Sequence, residues 1–155
     1  MRRWKTLDHP DDRADLMRRL GLLRPDTPRQ WGRMDAHQMI CHLADAMRAI
    51  MGQMQVSTGI TLFNRTVVKW AAVYSPLPWP QGYPTRPELD QHQHGTRPVD
   101  FAADVLQVGT LLESFTAAVA SGAVRAHPIF GPMSGKEWLR WGYLHVDHHL
   151  RQFGV

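Results

Sequence analysis

The chain has one cysteine, Cys41, in 155 residues, so no disulfide can form within it and a cross-linked scaffold is excluded. A solitary thiol also points to a reducing compartment. No apolar run approaches the roughly eighteen residues a spanning helix needs, so a membrane protein of that kind is not expected. The opening MRRWKTLDHPDD is positively charged, but no apolar core follows it. A secretory leader is therefore not expected, and a cytoplasmic location is. Strand-like alternation, internal repeats and low-complexity runs are all missing. Acidic residues number 14 against 18 basic ones, a formal charge of +4 with His neutral. The basic excess gathers near the amino terminus, at Arg2, Arg3, Lys5, Arg13, Arg18, Arg19 and Arg24. Nucleic acid is one partner for such a cluster, but Asp8, Asp11, Asp12 and Asp15 interleave with it and no aromatic-rich basic motif accompanies it. A solvated helix face is the better reading.

What the chain does have is helix punctuation. The length suits one domain over residues 1–155 with one core. Asp8 or His9 can cap a short helix with Pro10 in its first turn and Gly21 at its end. A second helix is predicted from Asp35, with Gln38 reaching back as in a capping box, to about Gly52. Its apolar stripe is Met39, Leu43, Ala46, Met47 and Ile50, and His42 falls inside it. A weaker pattern spans Thr61 to Tyr74. Ser75 to Pro98 then holds six prolines, and a connection this long reads as an ordered functional loop in which Trp79 and Tyr83 have something to bury. Helical spacing resumes from Val99 to Ala120, with Gly122 beyond it. A last helix follows the Ser134–Glu137 capping box. The class predicted is all-α, a helical bundle with an additional short helix and a long Pro-rich loop.

Three histidines stand out. His145 and His149 are four apart, so a helix places both imidazoles on one face, one turn from each other. His42 lies far upstream in an equally helical stretch. Two ligands from one helix and a third from a facing helix would make a three-His site in the bundle, with positions left open for water or substrate. Neutral imidazoles suit a divalent ion, Zn or Ni foremost. The alternative is that His145 and His149 are ordinary residues near a helix end and His42 a hydrogen-bonded core residue. Gln38 and Asp45, at i−4 and i+3 of His42, and Gln152, at i+3 of His149, are candidates to orient the ligand rings. Trp79 and Tyr83 are candidates to shape a substrate pocket. His148 points about 100° from His149 and is expected at the surface or behind a ligand. His92 and His94 read as solvated loop residues, His127 as a structural turn residue and His37 as solvent-facing. Cys41 reads as a small buried thiol.

The segment Trp31-Gly-Arg-Met-Asp-Ala-His-Gln-Met-Ile-Cys-His42-Leu resembles the run into the first metal-binding histidine of the DinB-like superfamily. The ending His145-Val-Asp-His-His149-Leu-Arg-Gln resembles that superfamily's last-helix pair. With His127-Pro-Ile-Phe-Gly-Pro-Met-Ser-Gly-Lys-Glu-Trp138, it is similar to the DUF1569 family of unknown function. The resemblance implies a four-helix bundle, often dimeric, with a divalent metal on His42, His145 and His149. It also implies the chemistry of thiol S-transferases that use a low-molecular-weight thiol, or of a maleylpyruvate isomerase. The expected function is a metal-dependent enzyme on a small-molecule substrate, of thiol S-transferase or hydrolase type. The competing reading is a metal-stabilised bundle that dimerises or binds a partner without catalysis.

Overall fold

Local signals set the helices, and their apolar faces decide how they assemble. A computed structural model describes residues 3–155, so Arg2 of the basic cluster lies outside the described residues. Among the described residues the elements are helical, with no strand: α1 (Pro10–Leu20), α2 (Ala36–Ile50), α3 (Lys69–Tyr74), α4 (Phe101–Ser121) and α5 (Gly135–Gln152). The Asp35 carboxylate accepts from Gln38 N–H while Gln38 answers the Asp35 N–H, so α2 starts on the predicted capping box. Ser134 and Glu137 do the same for α5. Asp100 accepts from Ala103 N–H at the start of α4, and Gly122 ends that helix in the left-handed conformation glycine favours. His9 occupies the N-cap of α1 but makes no side-chain cap bond.

α1 packs on α5, α2 on α4, and α4 and α3 on α5. Leu16, Leu20, Met39, Leu43, Val108, Leu112, Phe115, Trp138 and Leu150 fill the space between them. Gly142 lets α5 come close to its neighbours. A Cβ there would sit 2.6 Å from Leu7 Cδ1 and 2.9 Å from Phe115 Cε1. The basic side chains of the amino-terminal region are engaged within the fold. Arg3 pairs with Asp12, Arg18 with Asp15, Arg24 with Asp26, and Arg19 with Asp147 on α5. No helix of the described residues is long and apolar enough to cross a membrane.

The stretch predicted as helical from Thr61 to Tyr74 is helical from residue 62, but it is not a plain α-helix. A π-helical turn, Asn64–Val68, leads into α3. Its i to i+5 spacing throws residues set at α-helical intervals out of register. Leu62, Phe63, Val67 and Trp70 are exposed, and only Val73 of α3 is buried.

The Pro-rich segment is ordered without long elements. It contains one 3₁₀ turn, Pro87–Leu89, and is pinned to α2 by the fully buried Asp45. That carboxylate accepts from Gln91 Nε2 at 3.0 Å, Thr96 N–H at 2.8 Å and Thr96 Oγ1 at 2.7 Å. A buried charge with this many donors is satisfied, and it holds the loop at a fixed height along the helix.

Candidate metal centre

α5 projects His145 and His149 from successive turns, and α2 projects His42 towards them. One ring nitrogen of each lies within 4.8 Å of the others. His42 and His149 are buried, and His145 keeps part of its surface in a pocket of about 860 Å³. Desolvation lowers the pKa of all three and, with neighbouring imidazoles adding to it, puts His145 and His149 well below the ordinary histidine range. The rings are therefore neutral near pH 7, the form a metal requires.

Hydrogen bonds decide which nitrogen faces inward. His42 Nδ1 lies 2.8 Å from the Leu89 carbonyl, which can only accept, so Nδ1 carries the proton and Nε2 presents a lone pair. His149 Nδ1 lies 2.8 Å from Gln152 Oε1, which fixes the same tautomer. Gln152 is itself held, because its Nε2 donates to the Trp31 carbonyl at 2.9 Å. His42 Nε2 and His145 Nε2 stand 3.2 Å apart. Two nitrogens on one tetrahedral zinc, each bonded at about 2.0 to 2.1 Å, would be separated by roughly 3.4 Å. The donor set, its protonation and its spacing thus fit a divalent ion.

The nominated residues divide. Gln152 lies against His149. Gln38 does not reach His42, because its side chain is committed to the capping box. Asp45 also makes no bond to His42. Its oxygens hold Arg48, Gln91 and Thr96, so it acts on His42 without contact, through its charge, which opposes the lowering of the His42 pKa, and by anchoring the loop that carries Leu89. Trp79 lines the pocket with its ring 6.0 Å from that of His145, and its Nε1 donates to the Ala72 carbonyl at 2.7 Å. Tyr83 lines the pocket but is 55% exposed, so it is not the buried anchor expected for the loop.

The other histidines also sort themselves. His148 is half-buried between Trp31 and Trp79 on the pocket wall. His92 borders the pocket from an exposed position, and neither it nor His94 joins the trio. His127 is structural as read. Its Nδ1 accepts from Ile129 and Phe130 N–H, its ring stacks on Phe130, and burial drives its pKa down to about 3. His37 is not solvent-facing. Its Nε2 pairs with Asp104 Oδ2 at 2.7 Å, with Cys41 beside them. Cys41 is buried, and desolvation reinforced by Asp104 and Asp45 raises its thiol to about 12.

Two contributors were invisible in the sequence. The Leu89 carbonyl is a main-chain atom with no side-chain signature. Arg86 opens the same 3₁₀ turn, lines the pocket and has a buried Nε without a hydrogen-bond partner. Among the described residues it forms no ion pair.

No curated protein and no solved structure matches the chain. A family model described as a protein of unknown function (DUF1569) matches residues 1–154, and the chain belongs to that family.

Proposed function

We propose that this protein is a divalent-metal-dependent enzyme acting on a small molecule, of thiol S-transferase or hydrolase type, with His42, His145 and His149 as ligands. The observation that carries this reading is a trio of neutral histidines, two with their tautomers fixed, facing a pocket large enough for a small substrate. Such a three-nitrogen set suits Zn or Ni, and the ion would supply Lewis acidity that lowers the pKa of a water or of a low-molecular-weight thiol. The Leu89 carbonyl and Gln152 hold the ligand rings in orientation. Trp79, Trp141 and the Pro-rich loop line the pocket and would offer the substrate an apolar wall. Arg86 offers a cation to an acidic group of the substrate. Activation would rest largely on the ligand set itself.

Elemental analysis of untagged protein tests the reading. Wild type is expected to hold about one equivalent of divalent metal more than His145→Ala. Thiol-transfer and ester-hydrolysis screens should then find turnover that the variant lacks. Equal metal content, or equal turnover by metal-free protein, overturns the proposal.

A second reading has its own support in the exposed Leu62, Phe63, Val67 and Trp70. Exposed apolar side chains gathered on one short helical segment suit an interaction site. On that reading the bundle is a metal-stabilised module that dimerises or binds a partner through this face. Metal removal would lower the melting temperature with no substrate consumed, and Phe63→Ser would dissociate a dimer in analytical ultracentrifugation.

A further inference from the structure

We infer that His37, Cys41 and Asp104 form a second divalent-metal site, of zinc type, that clips α2 to α4. His37 and Cys41 are four residues apart and share one face of α2, while His42, one residue further on, turns towards the pocket. Asp104 meets them from the first turn of α4. A ligand atom from each lies within 4.8 Å of the other two. Asp104 Oδ2 is the shared focus, 2.7 Å from His37 Nε2 and 3.8 Å from Cys41 Sγ.

Those distances are near the edges of a zinc tetrahedron. With metal–ligand bonds of about 2.0 to 2.3 Å, a nitrogen and an oxygen stand roughly 3.4 Å apart, and a sulfur and an oxygen roughly 3.6 Å. The sulfur is already close to that spacing, and the imidazole has to withdraw by well under about 1 Å. Without a metal, the His37 ring and the Cys41 S–H both hydrogen-bond the same Asp104 oxygen, and an ion would take the place of those bridging protons. The soft sulfur, the imidazole and the carboxylate together form a donor set that zinc accepts. The thiolate and carboxylate would neutralise the ion, and the part-exposed His37 and Asp104 leave a way in and a position for water. Binding forms a sulfur–metal bond in place of the Cys41 S–H bond, whose proton passes to solvent. His37 adds as neutral imidazole, and nothing is oxidised or reduced. The site lies on a different face of α2 from His42, so occupancy would brace the helix that presents His42 to the pocket.

Because Cys41 is the only cysteine in the chain, sulfur ligation can be read without ambiguity. Co(II) titrated into the wild-type protein should give a thiolate-to-cobalt charge-transfer band that saturates at one equivalent for this site, and Zn(II) should abolish it. The all-nitrogen trio cannot produce that band. His145→Ala should therefore retain it, which separates failure of this site from failure of the other. Cys41→Ser should lose it. His37→Ala and Asp104→Asn, at part-exposed positions that tolerate change, should weaken Co(II) binding by more than about tenfold, since a direct ligand counts for at least as much as a group that orients one. Absence of the band in folded wild-type protein at saturating Co(II) overturns the proposal. So does a band that both His37→Ala and Asp104→Asn leave unchanged.

Discussion

Replacing Gln152 with alanine removes two hydrogen bonds at once, and the two have separable consequences. Its Oε1 receives the His149 Nδ1 proton at 2.8 Å, and its Nε2 donates to the Trp31 carbonyl at 2.9 Å. Without the acceptor, His149 is free to place its proton on either nitrogen, and the tautomer with a lone pair on Nε2 is no longer enforced. Losing such an orienting partner costs about 10- to 100-fold in metal affinity, equivalent to about 1.4 to 2.8 kcal/mol. Without the donor, the Trp31 carbonyl loses its partner, at a cost of about 1 to 3 kcal/mol in the stability of the metal-free protein. Gln152→Glu separates the effects, because a carboxylate still accepts from His149 but cannot donate to Trp31. Competition against a chromophoric chelator should therefore show Gln152→Ala weakened 10- to 100-fold and Gln152→Glu close to wild type. Chemical denaturation with chelator present should show both variants destabilised. Wild-type metal affinity in Gln152→Ala would refute the claim that this bond sets the ligand tautomer.

Acid should unfold the metal-free protein early. His42, His145, His149 and His127 all have lowered pKa values in the fold, so their stabilising share is complete above the unfolded value near 6.5 and is lost as pH falls below it. For His127, held down to about 3, the loss by pH 4.5 spans about two pH units, or about 3 kcal/mol. Urea midpoints that stay flat between pH 7.5 and 4.5 would contradict that burial. Asp45→Ala strands the Gln91 and Thr96 donors and leaves Arg48 without its carboxylate, so a loss of about 3 to 5 kcal/mol is expected. Limited proteolysis should then cut near residues 90–96, and a resistant loop would argue against Asp45 as its anchor. Gly142→Ala drives a Cβ into Leu7 and Phe115 and should cost about 1 to 3 kcal/mol, seen as a lower melting temperature. An unchanged melting temperature would mean that the α5 contact has slack.

The helices were legible because their signals are short-range. A cap at Asp35 or Ser134 needs only a partner three residues away, and Gly122 needs only its own backbone freedom. Local spacing also put His145 and His149 on one face. At residues 62–74 it gave the helix but not its packing, because a π turn interrupts the α-helical register and Leu62, Phe63, Val67 and Trp70 are exposed. Gln38 shows the limit of spacing arguments from the other direction. A residue four positions from His42 can contact it, but the nearer Asp35 N–H claimed the side chain first.

By itself, then, the sequence determined the all-helical class, the helix boundaries to within a few residues and the three histidines, because periodicity and capping act over one or two turns. Only the tertiary structure decided what surrounds them. His42 and His145 meet across 103 positions, and the His42 tautomer is set by the Leu89 main-chain carbonyl 47 residues away. The loop bearing that carbonyl is held by Asp45, and the pocket, Arg86 and the meeting of Cys41 with Asp104 arise the same way. Contacts between distant segments depend on how packed helices and an anchored loop fill space together, and no local spacing along the chain encodes that.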